Sequence, residues 1–367
     1  MNHPIGVQEK VSPFFAFILI HSAQTGIGML GFQNKVAGSV GYDAWIVCVL
    51  SGISINIIIF LIYKMLKDKN DLINLHNHSF GSFIGTILTL AFSTYLILSA
   101  LIVFRTYLDI LQIWVFPTFA TWYLGLFFII AIYYTVVSGF RVVTGICFWG
   151  IVIPGLLLFT IGFPLKYSTL GNIMPIFDHS LTSMFKGMKD LTLNFMGFES
   201  ILIYYPFIKK PDKSHKWAQI GNIFTMVSYA VIMVISYMYF NEEQMLHAIW
   251  ATLNMTKIIS FPILERFEYV VIFSWFLVVL PTVCLPIWSV GRSLEILFNV
   301  KPKNSLLIVS IIIYSSVFFI KGRISINMLN QLVGTLGLYF IYIYIPFLFV
   351  INYIQSRIQR HFSSKAL

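Results

Sequence analysis

From Val11 to Asn34 the chain carries no Asp, Glu, Lys or Arg, and charge-poor apolar runs of similar length return almost to the C-terminus. A bilayer core of about 30 Å takes roughly 20 apolar residues wound as a helix. Runs of that size occur about ten times, and the expected spans are 13–33, 44–63, 80–104, 117–138, 142–163, 191–208, 217–240, 269–290, 305–320 and 324–353. Of the 367 residues 58% are hydrophobic and only 10% charged, against about 25% charged in soluble domains. The expectation is an all-α integral membrane protein with a single transmembrane domain over residues 1–367. A one-sided segment, 244–258, carries Leu246, Ile249, Trp250 and Leu253 at helical spacing and is too short to span. It is expected to lie in the membrane interface.

Charge follows the same layout. The formal net charge is +10, but the basic residues sit in short loops, so membrane orientation explains them better than nucleic acid does. With ten spans both termini share one side, and 15 of the 24 Lys and Arg fall on it, including Lys64, Lys67, Lys69, Lys209, Lys210, Lys213 and Lys216. Both termini are therefore expected in the cytoplasm. Cys48, Cys147 and Cys284 stand alone inside apolar runs and form neither a disulfide framework nor a zinc spacing.

The first span is a poor sequence for an unbroken helix. Its centre reads Ser22-Ala-Gln-Thr-Gly-Ile-Gly-Met-Leu-Gly31, and each of Gly26, Gly28 and Gly31 costs about 1 kcal/mol of helix propensity against Ala. An opened backbone survives at membrane depth only where protein or a watery cavity satisfies it. Two readings follow: a discontinuous helix whose freed amides at Thr25, Gly26, Ile27 and Gly28 face a small ligand, or a small-residue stripe for close packing. The sixth span carries matching punctuation at Asn194, Gly197, Glu199 and Ser200. Divided five and five, the spans run in opposite senses, an inverted-repeat layout with halves 13–180 and 184–355. Interrupted segments at corresponding positions favour the ligand reading.

Glu199 is expected either to hold an ion, a proton or a ligand amine, or to fix the break by bonding its unwound backbone. In the eighth span, Pro281 and Pro286 flank Thr282, whose hydroxyl is free for a ligand or bonds back to its own helix. His21, Ser22 and Gln24 precede the break and have two readings, lining a pathway or, for a lone His inside a span, hydrogen-bonded packing. His76-Asn-His78 is expected in a solvated loop rather than at a metal. No nucleotide loop, catalytic triad order or zinc signature is present, so neither an enzyme nor a cofactor is expected.

With Thr25-Gly-Ile-Gly-Met-Leu-Gly31, Phe195-Met-Gly-Phe-Glu-Ser200 followed by Pro206, and Glu265-Arg-Phe-Glu268 in place, the chain resembles the B subunits of endospore germinant receptors. These are spore germination permeases of the amino acid/polyamine/organocation transporter superfamily. The resemblance runs over nearly the whole chain. It implies a LeuT-like five-plus-five inverted repeat with discontinuous helices 1 and 6, residence in the spore inner membrane, association with receptor A and C subunits, and nutrient sensing. By position it implies a ligand site of Gly26, Ile27 and Gly28 with Gly197, Phe198 and Glu199, lined also by Thr282. The chain departs from the family where Gly31-Phe-Gln-Asn-Lys35 replaces a Leu-Pro-Arg continuation. The rival reading is an autonomous proton- or sodium-coupled amino acid permease, which the fold does not separate from a receptor.

Overall fold

Backbone groups surrounded by hydrocarbon must be satisfied within their own segment, and the apolar runs accordingly wind into helices. The computed structural model describes residues 5–156, 160, 162–174, 177–259 and 266–365. The first run is divided into α1 (Phe15–Gln24) and α2 (Gln33–Val40), joined through a 3-10 turn at Ile27–Leu30. Then come α3 (Ala44–Lys69), α4 (Leu72–Trp114), α5 (Thr121–Val137), α6 (Phe140–Leu156) and the short α7 (Gly162–Lys166). The sixth run is divided in the same way, into α8 (Leu181–Phe195) and the single-turn α9 (Ile201–Tyr204). After α10 (His215–Tyr239) lie the small α11 (Glu242–His247) and α12 (Ala251–Thr256). The chain continues through α13 (Phe267–Phe298), α14 (Pro302–Phe319), α15 (Gly322–Tyr339) and α16 (Ile345–Lys365), the last two joined by a π-helical turn at Phe340–Tyr344.

Six helical stretches among the described residues are long and apolar enough to cross a bilayer, and α1, α5 and α6 are shorter apolar helices. The protein is an integral membrane protein. Large side chains such as Phe127, Tyr134 and Phe319 are exposed at 75%, 76% and 83%, as expected of surface that faces lipid.

Three expectations change. His76 is not in a solvated loop: α4 begins at Leu72, capped by the Asp71 carboxylate accepting the Asn74 N–H at 2.8 Å, and kinks at Gly81 (φ 79°). His76 is fully buried there, bonding Thr89 through Nδ1 at 2.8 Å and the Tyr344 hydroxyl through Nε2 at 2.6 Å. The sixth-span helix starts at Leu181 rather than Leu191, because Ser180 caps it and Met184, Gly187 and Leu191 bury one face while Lys186 and Lys189 stay outside. A purely apolar criterion misses such an amphipathic start. The 244–258 segment is two short helices. Between them Trp250 turns inward and is buried with Leu253, while Leu246 and Ile249 remain about half exposed.

α1 lies among α6, α10 and α13. Its closest neighbour is α10, where Gly221 lets the helices meet: a Cβ there would stand 2.7 Å from the Phe17 carbonyl oxygen. Close approach of this kind is how helices associate where hydrophobicity offers no gain. Gly221→Leu should therefore lower stability by at least the 1–3 kcal/mol typical of overpacking, read as a reduced thermal midpoint of the detergent-solubilised chain. Wild-type behaviour would mean that α1 and α10 are not in this contact.

Candidate functional site

The first break begins where α1 ends. Thr25 N–H and the Thr25 hydroxyl both donate to the His21 carbonyl, at 3.0 and 2.8 Å, and Gly26 then leaves helical geometry (φ −67°, ψ −144°). A helix end leaves carbonyls without intrahelical partners, and side chains from other elements supply them. The Tyr229 hydroxyl donates to Gln24 O at 2.9 Å, Trp275 Nε1 to Gly26 O at 3.3 Å, and the Thr252 hydroxyl to Met29 O at 2.8 Å.

The second break is built from the same parts. α8 stops at Phe195, and Gly197 takes φ +101°, a conformation that L side chains rarely adopt. Gln24 Nε2 donates to the Phe195 carbonyl at 3.1 Å, and the Tyr229 hydroxyl also lies 3.3 Å from Asn194 O. One hydroxyl and one amide thus serve both ruptured helices. The breaks also touch directly, since a Cβ on Gly197 would stand 2.6 Å from the Ala23 carbonyl oxygen. Glu199 is fully buried, and its carboxylate accepts the Gly197 N–H at 2.8 Å and the Tyr95 hydroxyl. It closes the turn of the second break upon itself.

A cavity of about 430 Å³ lies against the two breaks. Gly26, Ile27, Gly28, Gly197 and Thr282 line it. Thr25, Phe198 and Glu199 are buried behind it: Thr25 is turned onto His21, and Phe198 has no exposed surface. The Thr282 hydroxyl donates back to Val279 O at 2.7 Å, which leaves its methyl group nearest Gly26. His21 and Ser22 serve packing, bonding Thr225 at 2.9 Å and Cys147 O at 3.0 Å. Towards α2 and the start of α15 the lining turns polar and charged, with Lys35, Asp190, Arg323 and Asn327. Lys35 pairs with Asp190 at 3.8 Å, and Arg323 pairs with Asp109 at 2.9 Å while lying over the Trp250 ring. Glu265 falls outside the described residues; Arg266 bonds Glu268 at 2.9 Å.

Sequence reasoning missed Ser99 and Thr106, which line the cavity from α4. They stand seven residues apart, with Ile102 and Val103 between them also on the wall, so a single helical stripe joins them. That periodicity was the available signal. Tyr229 and Trp275, each one polar-tipped ring in an apolar run, offered none. No cluster of three metal-ligating side chains occurs among the described residues.

The chain matches the family model described as "Spore germination protein" over residues 10–326. It is 40% identical over 357 residues to spore germination protein GerQB of Bacillus cereus, covering 97% of this chain and 99% of that one. Against spore germination protein A2 of Bacillus subtilis (strain 168) the identity is 22%, covering 83% and 85%. Among solved structures the crystal structure of MhsT in complex with L-phenylalanine superposes with a TM-score of 0.58 at 13% identity, covering 95% of this chain and 99% of that one. The shared architecture is the LeuT-like transporter fold.

Tyr229→Phe removes the hydroxyl shared by the two helix ends. Leaving a buried carbonyl unpaired costs about 1–3 kcal/mol, and the expected result is a lower thermal midpoint with unchanged helical content by circular dichroism. An unchanged midpoint would show that the breaks do not depend on this bond.

Proposed function

We propose a receptor role for this chain, which belongs to the spore germination protein family: it binds a small nutrient, such as an amino acid, between the two helix breaks and helps to trigger germination. The observation that carries this is the wall of the cavity, where the interrupted backbone at 26–28 and at 197 faces the same space. Backbone amides outside the helical ladder and at the start of a new half-helix suit a carboxylate or another polar acceptor. Glycines there let the ligand approach the main chain. Thr25, Phe198 and Glu199 support this wall from behind, and Thr282 stands on it beside Gly26.

In this reading the chain is two inverted five-helix halves, 13–180 and 184–355, lying in the spore inner membrane with both termini in the cytoplasm. The 244–258 segment lies at the opposite surface, over the mouth of the cavity. The chain acts together with germinant receptor A and C subunits. Ligand shifts the equilibrium between two arrangements of the broken helices by its differential affinity for them, and ion release follows. No chemical step is assigned to the chain.

The test uses a strain lacking the chromosomal copy, complemented by variants and scored for nutrient-induced germination. Gly28→Leu, whose Cβ would meet Asn194 Nδ2 at 2.7 Å, should abolish the response while the chain still inserts. Glu199→Gln should weaken it, because Gly197 N–H and the Tyr95 hydroxyl donate to different carboxylate oxygens and an amide replaces one of those acceptors with a donor. Normal germination in both variants would contradict the proposal. Reconstituted alone in liposomes, the chain should bind nutrient without net uptake; accumulation driven by a proton or sodium gradient would assign it as a permease instead.

A further inference from the structure

A second cavity, of about 500 Å³, lies away from the helix breaks, where α5 ends, α6 and α14 begin and the last turns of α13 pass. The 3-10 turn at Val7–Glu9 borders it. Its apolar wall is a cluster of rings in which the Trp288 centroid stands 4.7 Å from that of Phe140 and 4.8 Å from that of Phe207. The cations Arg141, Arg292 and Lys303 share the rest of the lining with the carboxylates of Glu9 and Glu295.

These charges do not cancel. Arg292 bonds Glu295 at 2.8 Å, and Glu9 accepts the Gly6 N–H at 3.0 Å. Arg141 donates to the Gln8 carbonyl at 3.0 Å, and neither it nor Lys303 has a carboxylate partner among the described residues. Two helix starts add to the excess, because the first N–H groups of a helix lack intrahelical acceptors and carry partial positive charge. α6 starts at Phe140 and α14 at Pro302, the latter with no side-chain cap, and both residues line the cavity.

Trp288 supplies a further donor. It is 7% exposed, its indole N–H has no acceptor among the described residues, and unlike the Trp45 nitrogen it is not sealed from solvent. Buried polar groups are nearly always paired, so an exception calls for a reason. The positive-inside bias explains basic residues scattered over one surface. It does not explain unpaired cations, two helix starts and an unbonded indole gathered around one hollow.

We infer that this cavity is a second binding site, which takes the phosphate group of a net-anionic molecule. Arg141 and Lys303 balance the charge, the start of α14 and the Trp288 N–H give directed donors, and the ring wall receives the adjoining carbon. Donors converging from α6, α13 and α14 suit the several oxygens of a phosphate better than the two of a carboxylate. An anionic phospholipid headgroup and a soluble phosphate ester share this chemistry. Exposed Val137, Val142 and Leu307 beside the cavity offer a lipid-facing surface for an acyl chain.

The full chain in detergent is titrated with phosphatidylglycerol in mixed micelles, against phosphatidylcholine as the zwitterionic control, and separately with glycerol 3-phosphate, against glycerol. The readouts are dissociation constant and thermal midpoint. At least one phosphate anion should bind and raise the midpoint while its control does not; the lipid doing so identifies a headgroup site, the ester a soluble ligand. For the probe that binds, Lys303→Gln should weaken affinity about threefold, as for a solvent-exposed ion pair. Trp288→Phe, which keeps a ring but loses the N–H, should weaken it about fivefold. The two together should cost at least about tenfold. Lys213→Gln, at an exposed lysine outside the cavity, should leave affinity unchanged.

Failure of both phosphate anions to bind overturns the inference, as does equal binding of the controls. So does wild-type affinity in the double variant, or equal weakening by Lys213→Gln, which would mark diffuse surface charge. The nutrient reading stands or falls separately: Gly28→Leu should bind the phosphate probe as the wild type does.

Discussion

Two helices ruptured at membrane depth expose peptide groups that hydrocarbon cannot solvate, and the rest of the bundle is arranged to satisfy them. The hydroxyl of Tyr229 reaches the carbonyls of Gln24 and Asn194, and the amide of Gln24 reaches Phe195. The contact between Gly197 and the Ala23 carbonyl is close enough to exclude any side chain. The Gln24 bond crosses directly between the first and sixth runs, and Tyr229 ties both of them to α10. Trp275 from α13 and Thr252 from α12 tie the first break to the flanking elements in the same manner.

The same arrangement separates support from contact. Glu199, the one carboxylate in the second break, holds Gly197 N–H and the Tyr95 hydroxyl and lies behind the wall rather than on it. Thr282 stands against Gly26 with its methyl carbon and hydroxyl oxygen at nearly equal distance, its hydroxyl proton committed to the preceding turn. What faces the cavity near the breaks is main chain, aliphatic surface and a few amide and hydroxyl groups. Ionised pairs also belong to its lining, where Arg323 joins Asp109 to the Trp250 ring.

Much of this was legible in the chain itself. Charge-free runs announce helices in lipid, and glycines placed inside such a run announce where a helix fails, as at Gly26 and Gly197. The partners that make failure tolerable were not legible. Tyr229 and Trp275 are single polar-tipped rings in apolar helices, and only the packing of distant segments tells a bonded one from a lipid-facing one. His76 shows the opposite error. Two histidines around an asparagine look like a loop, but the residues before them complete a capped turn that carries His76 into the interior. The start of α8 was hidden for a related reason, since its polar face masks an apolar one.

Hydrogen–deuterium exchange in nanodiscs, with and without a nutrient that triggers germination, tests the central claim most directly. If the breaks form the ligand site, the amides at 25–28 and 196–198 should exchange faster than those of α10 in the free protein and slow when the nutrient is added. Protection already equal to that of α10 in the free protein, or nutrient-induced slowing confined to other segments, would contradict it.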